Sequence, residues 1–272
     1  MRSIPLFILS ACAVLASCEG KHDQHRNTGK DSWVEKVVAK DDGPVRQRET
    51  AGSFDEIEVS QAIRAEIIKS DVEKVVISAP ENIIDEVLAE ISGGKLHIHY
   101  KTGIRVMDSH NVSAKIYAKD FSKLEANSAG SITVKDKFVQ DKTEIEISSS
   151  SSVSGDLEAN KLEISADSSG SFSGKIWAVD LEVEASSAAS IDISGKAKNA
   201  DISSSSGSSI EAKEVTVQNL KADASSGASV SVTASSSIAA EASAGGSVDV
   251  YKRNSVNAVT KEESSGGSVT IH

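Results

Sequence analysis

Two closely spaced histidines are the first residues of this 272-residue chain whose types and spacing could do chemistry. His97 and His99 stand two residues apart in a run where Leu96, Ile98 and Tyr100 alternate with them, so they share one strand face. Two imidazoles on one face can begin a metal site, with His110 as an unplaced third ligand. The alternative is a solvated strand face, which we favour, and we predict no metal. The same interpretation applies to the two histidines nearer the N-terminus, His22 and His25.

Acidic residues are the second set of candidates, because extracellular β-helices can bind calcium through regular acid repeats or cleave acidic polysaccharides with acid clusters. The aspartates of this chain do not recur at a fixed position, so we predict that the acids do not stack. The repeat Gly-Gly-x-Gly-x-Asp is absent from the sequence. Asp167, Asp192 and Asp201 are outward candidates for a carbohydrate or calcium site, with plain solvation as the favoured alternative.

The abundant serines do not form a recognisable catalytic motif. Gly-x-Ser-x-Gly is absent, and the chain from Leu124 onward contains no histidine before His272. A serine without a neighbouring base is inert as a nucleophile. We therefore predict no catalytic residue and no cofactor, and expect the serines to form a ladder of hydroxyl groups that bond to neighbouring coils or to the backbone.

A cysteine near the N-terminus has a clearer chemical role. Residues 1–17 contain one basic residue, Arg2, and an apolar run that is too short to span a bilayer, which indicates a secretory signal peptide. The sequence Leu-Ala-Ser-Cys that ends at Cys18 resembles the bacterial lipobox, so we predict that Cys18 is lipidated. Glu19 follows, and the resemblance to Gram-negative lipoproteins implies sorting to the outer membrane. Since Cys12 lies in the removed segment, no disulfide is expected.

The charge balance limits the partners of this protein. The net charge is −11 at pH 7, from 29 basic and 40 acidic residues. A surface this acidic disfavours nucleic acid and anionic lipid headgroups. The expected membrane contact is therefore the lipid on Cys18.

Internal sequence repeats indicate the fold that would position the candidate residues. A turn of small residues that closes in Ser plus an apolar residue recurs eight times, at intervals of 18 to 21 residues. A period near 20 indicates a solenoid. The apolar residue of each copy, which we call its anchor, is Ile132, Val153, Phe172, Ile191, Ile210, Val230, Val248 or Val269.

Within each repeat the apolar residues are spaced by two, which is the period of a strand. The anchors are mostly β-branched, and no proline follows Pro80, as expected where every backbone N–H pairs with the next coil. The sequence therefore predicts an all-β fold, a parallel β-helix of about eight coils of 19–21 residues over 124–272. Right-handed β-crossovers are the rule, so we expect a right-handed helix.

The region before the repeats is divided into two parts. Residues 18–49 are polar and predict a tether behind the lipidated cysteine. Residues 50–123 predict a β-rich segment with one short helix at 82–91, where Ile83, Val87 and Ile91 would share a face. Gly93 and Gly94 are expected to turn the chain into the next strand.

The chain resembles the putative auto-transporter adhesin, head GIN domain family, which is common among Bacteroidota envelope lipoproteins. The resemblance covers about residues 46–272. It rests on Gly-Ser-Phe-Asp-Glu-Ile-Glu-Val at 52–59, Gly-Gly-Lys-Leu-His-Ile at 93–98, Leu-Glu-Ala-Asn-Ser-Ala-Gly-Ser-Ile at 124–132, and the strands at 75–79 and 112–118. The family implies a β-helical fold and an adhesin-like role, and it supplies no catalytic residues.

The leading hypothesis is a non-enzymatic, lipid-anchored envelope protein whose solenoid presents a surface for a glycan or a protein. One alternative is a β-helical polysaccharide lyase or hydrolase, and another is an assembly protein that stacks through the end of its solenoid. The last strand, residues 269–272, is followed by no cap, so we also predict contact at this end with a second copy or with a partner strand.

Overall fold

The structure is a computed structural model that describes residues 36–38, 43–106, 111–253 and 256–272. The predicted signal peptide, Cys18, the histidines at 22, 25 and 110, and most of the tether lie outside these ranges. The described residues form strands almost throughout, as the sequence predicts. The strands before the repeats are β1 (Lys36–Val38), β2 (Val45–Ala51), β3 (Glu56–Val59), β4 (Arg64–Lys69), β5 (Lys74–Pro80), β6 (Val87–Ser92), β7 (Lys95–Tyr100), β8 (Ile104–Val106) and β9 (Ser113–Ala118).

The repeat region contributes ten further strands, most of which are long and bend around the solenoid. Parallel pairing joins each strand from β10 to β16 to the next along the chain, which confirms the predicted β-helix. These strands are β10 (Lys123–Ala126), β11 (Ser131–Ile147), β12 (Ser152–Ala166), β13 (Ser171–Ala185), β14 (Ser190–Ser204), β15 (Ser209–Ala224), β16 (Ser229–Ala242), β17 (Ser247–Lys252), β18 (Ala258–Glu263) and β19 (Ser268–Ile271).

The eight anchors predicted from the sequence form one continuous file in the core. Ile132 pairs with Val153, Val153 with Phe172, and so on in register to Val269. Every anchor is at most 2% exposed. The serine before each anchor points the other way and lies partly or fully exposed. Burial of this apolar file is the main contribution to stability that the repeats supply.

The turns between coils share an uncommon backbone conformation. Both central residues have positive φ, as at Ser187 (51°) and Ala188 (63°), and the fourth residue donates its N–H to the carbonyl of the first, as Ala189 does to Ser186 at 3.0 Å. This is the geometry of a type I′ turn. The Ala188 N–H also donates to the Ser206 carbonyl in the next coil, at 3.2 Å. The hydrogen-bond ladder of the sheet therefore continues through the turns.

Chain order and stacking order differ at the N-terminal end. The successive strands β3 and β4 form a coil that stacks on β10 and β11, and β7 and β9 stack on its other side. Three antiparallel pairings complete this end: β6 with β7, β5 with β9, and β2 with β5. The region at 50–123 is therefore joined to the repeats in one sheet, and its antiparallel strands cover the first coil.

The predicted helix at 82–91 is much shorter in the structure. Only one 3-10 turn forms, Ile84–Glu86, and Val87–Ser92 is strand β6. The reason is tertiary: β6 folds back on β7 through the turn at Gly93 and Gly94, as the antiparallel pair of Ser92 with Lys95 requires. No helix in the described ranges is long and apolar enough to cross a membrane.

The C-terminal coil ends the apolar core with charge. Lys261 and Glu263 of β18 stand in register with the buried Ala240 and Ala242 of β16. Their side chains form an ion pair at 3.0 Å, and Glu263 also accepts the Val269 N–H at 2.7 Å. Charge at inward positions is one way that proteins protect a sheet edge. This charged pair comes before Gly267, whereas the expectation of an uncapped end rested only on the residues after the last strand. The predicted end-to-end contact stays a prediction.

The assignment of faces predicts opposite effects for adjacent aspartate substitutions on β14. Ile191→Asp buries a charge in the anchor file and should destabilise the fold by several kcal/mol. Ser190→Asp adds the same charge on the exposed face and should change stability by no more than about 1 kcal/mol. Urea unfolding followed by circular dichroism measures both. Equal losses would contradict the assignment.

Candidate functional site

The two histidines predicted to share a face do so, with their rings stacked at 4.1 Å between centroids. His97 Nε2 lies 3.3 Å from a Glu58 oxygen, and His99 Nε2 lies 3.3 Å from a Glu90 oxygen. Each ring therefore faces a different carboxylate. Within the described residues, no group of three His, Cys, Asp or Glu side chains is arranged to hold a metal ion.

Ser60 also contacts His97, which raises the question of a catalytic serine. Ser60 Oγ lies 3.2 Å from His97 Nε2, the same nitrogen that faces Glu58. A nucleophile, base and acid in series would need the serine and the acid on opposite nitrogens of the ring. Ser60 is only 5% exposed as well. The arrangement therefore fits a structural hydrogen bond.

The pKa values around Glu58 reflect a tight ionic network. Desolvation by itself would raise the pKa of Glu58, but hydrogen bonds from Lys95 and Asn127 outweigh it and the pKa is lowered. Lys95 bridges Glu58 and Glu125, at 2.7 and 2.9 Å. The pKa of His97 is lowered because desolvation of the imidazolium exceeds the attraction of Glu58.

Of the three aspartates predicted as outward candidates, Asp192 and Asp201 are exposed and Asp167 is partly exposed, and the three do not converge. Asp167 lies in a turn, where hydrogen bonds from Ser186 and Ser168 help to lower its pKa to about 2. Asp201 pairs with Lys221 at 2.8 Å, and Asp192 lies beyond the next turn, on β14. Their geometry supports solvation and coil-to-coil bonding.

The prediction that the acids do not stack is wrong once the glutamates are counted. Nine residues before successive anchors stand Glu144, Glu163, Glu182 and Asp201, and these four pair in register. Lysines on the same face offset part of the charge, as Lys142 does by reaching Glu144 and Glu163 at 3.4 and 2.9 Å. The signal is present in the sequence, because all four acids stand at the same distance from their anchors.

The serines that precede the anchors are aligned in register from coil to coil, but their hydroxyl groups form fewer hydrogen bonds than the sequence predicts. Among the described ladder serines, Ser229 donates to Ser209 at 3.2 Å. The stronger bonds come from buried turn serines. The Ser151 hydroxyl lies 2.6 Å from the Ala126 carbonyl, and the Ser208 hydroxyl lies 2.8 Å from the Ala185 carbonyl. These hydroxyls fasten a turn to the preceding coil.

A groove on the side of the solenoid has a volume of about 710 Å³. It crosses β11 to β14 and is lined by residues 133–137, 155–158, 175–177 and 195–196. Trp177 stands in the groove with 44% of its surface exposed. Apolar side chains of this size are normally buried, so an exposed tryptophan in a concave surface indicates a binding site.

Glycines occupy the bends of neighbouring coils along this groove. A Cβ added at Gly174 would collide with the Gly155 carbonyl oxygen, and one at Gly195 would collide with the Ile176 carbonyl oxygen. Gly155 and Gly195 also have φ of +143° and +122°, which other residues rarely adopt. These glycines therefore let the backbones of adjacent coils approach closely, and Gly155 and Gly195 expose backbone in the groove.

Sequence reasoning missed the groove, although part of its signal was available. Trp177 lies five residues after the anchor Phe172, an odd step that places it on the outward face. The register confirms this position, with Glu158 and Lys196 beside it on the adjacent coils. The bends that hollow the surface depend on how the coils stack, so the groove itself was not visible in the sequence.

The lowered pKa of His97 predicts how stability depends on pH. The unfolded chain takes up this proton near pH 6.5, and the folded chain only at lower pH, so stability falls as the pH drops through that window. A His97→Gln variant should lose less stability there. The difference in melting temperature between wild type and variant should therefore narrow from pH 8 to pH 5. Parallel curves would contradict the prediction.

Comparison with solved structures supports the fold. A protein from Parabacteroides merdae, named a putative adhesin, has a TM-score of 0.80 at 18% identity and covers 87% of this chain and 99% of its own. Two proteins from Parabacteroides distasonis each cover 87% of this chain and 100% of their own. One is named a putative adhesin (20% identity, TM-score 0.75) and the other a putative lipid binding protein (21% identity, TM-score 0.73). No curated protein sequence matches the chain.

A sequence-family model matches the chain twice in overlapping segments, at residues 53–176 and 152–253. The two matches together cover more than half of the chain. They include the N-terminal coil, the groove and most of the repeats. The chain therefore belongs to the family described as putative auto-transporter adhesin, head GIN domain.

Proposed function

We propose that this protein is a non-enzymatic, lipid-anchored component of the cell envelope, and that it binds a glycan or protein through the groove around Trp177. The family membership supports an adhesin-like role. The observation that carries the proposal is the exposed indole of Trp177 in a groove of about 710 Å³. A rigid aromatic ring of this kind provides a large contact area with little loss of side-chain entropy on binding.

The interior of the solenoid is filled by side chains, which favours a ligand site on its surface. Inward positions carry buried side chains such as Phe121, Phe138 and Phe172, which are at most 2% exposed. Phe121 and Phe138 pack with their ring centroids 4.9 Å apart. A ligand would therefore bind on the outside of the coils. This applies also to a lipid, which the name of one Parabacteroides distasonis neighbour suggests for that protein.

A substitution in the groove tests the proposed binding role. Trp177→Ala should weaken ligand binding at least tenfold, because tryptophans at the centre of an interface commonly contribute most of the affinity. Val139→Ala is the matched control, since Val139 is 63% exposed near the groove but does not line it. A glycan array screened with the purified protein supplies the ligand, and calorimetry measures both variants. Equal binding by the two variants would overturn the assignment of the groove.

The anchor is tested separately at Cys18. The lipobox resemblance predicts that Cys18 carries the lipid and that Glu19 permits sorting to the outer membrane. A Cys18→Ser variant should leave the membrane fraction and lose metabolic palmitate label. Retention of the label in the membrane fraction would contradict lipidation at this residue.

A further inference from the structure

The acidic side chains of the groove are already engaged by the protein. Asp136 accepts the Lys69 N–H at 2.8 Å, and Asp156 accepts the Lys175 N–H at 3.3 Å. Glu158 pairs with Lys137 at 2.5 Å. The charge of Glu158 is therefore offset by Lys137, whereas Asp136 and Asp156 are held in place by backbone N–H groups and keep their charge.

Two lysine side chains of the groove form no ion pair in the part of the chain that the structure describes. Lys175 precedes Trp177 by two residues on β13, and Lys196 on β14 is the register partner of Trp177. Both lysines are exposed and line the groove. Within the described residues, neither side chain forms an ion pair. Two ammonium groups that form no ion pair there, beside an exposed indole, present positive charge next to a flat apolar surface, although the chain as a whole carries a net charge of −11.

The position of the groove restricts the shape of its ligand. It lies on the lateral face of the solenoid, where β12, β13 and β14 are paired with neighbours on both sides. A peptide that adds a strand needs an unpaired sheet edge, and a helical peptide needs a long apolar groove. Neither feature is present on this face. A sugar ring needs only a flat apolar surface and nearby polar groups, which Trp177 and the backbone at Gly155 and Gly195 provide.

We propose that the groove is specific for an acidic saccharide, with a sugar ring against Trp177 and its carboxylate or sulfate held between Lys175 and Lys196. This inference rests on the proposed binding role of the groove and defines its ligand class. The bonds to the anion are charge-assisted and therefore stronger than those to a hydroxyl group. They lie at the surface, so salt weakens them.

The experiment compares acidic and neutral oligosaccharides on the purified full chain by calorimetry. Oligogalacturonate and heparin oligosaccharides supply carboxylate and sulfate, and malto-oligosaccharides are the neutral probe. The acidic probes should bind at least tenfold more tightly than the neutral one. Lys175→Gln with Lys196→Gln should remove this preference. Lys198→Gln should retain it, because Lys198 is exposed on the same strand but lies outside the groove. Thermal melts of all variants report whether the fold is retained.

The other outcomes separate this inference from the proposed function. If acidic and neutral probes bind equally and Trp177→Ala abolishes both, the groove is a binding site and the preference for acid is overturned. If only an Asp-rich peptide or anionic vesicles bind in a Trp177-dependent way, the saccharide assignment is overturned. If no probe depends on Trp177, the proposed function fails together with the inference.

Discussion

The hydrogen bond between successive turns is the constraint on which the rest of the structure depends. Each type I′ turn holds two residues at positive φ, and in the turns from Ala129 to Gly227 the N–H of the second donates to the carbonyl of the first in the next coil, as Ser169 does to Ser187 at 3.1 Å. The left-handed conformation is unfavourable for serine and alanine by roughly 1–2 kcal/mol per residue. The bond to the next coil compensates for this cost. It also fixes the register, and a slip by one residue would move every anchor to the outer surface.

Fixed register separates the functions of the two faces. Inward positions carry mostly apolar residues of limited size, since they stack on the coils above and below. Outward positions are free to vary, and equivalent outward positions of successive coils form rows along the solenoid. One row brings together four acids from Glu144 to Asp201, and another places Trp177 between Glu158 and Lys196. The groove lies where this regularity is interrupted, at the glycine bends of β12 to β14 and the register shift between β11 and β12.

The two ends of the solenoid are closed by different means. At the N-terminal end the chain folds back on itself, and antiparallel strands β2, β5 and β6 cover the first coil. At the other end the strand register is kept, but Lys261 and Glu263 replace apolar residues at inward positions. This ion pair ends the apolar core without an additional capping strand or helix.

The sequence by itself determined the repeat, the file of anchors and the small-residue turns, because spacing by two and a period near 20 follow directly from strand geometry. The N-terminal topology was decided only in three dimensions. Residues 82–91 have an apolar pattern that fits a helix, and pairing of β6 with β7 overrides it. The inward Lys261 and Glu263 and the groove at Trp177 also required the structure. Each depends on which residues of neighbouring coils lie side by side, and that register is set by contacts between coils about 20 residues apart.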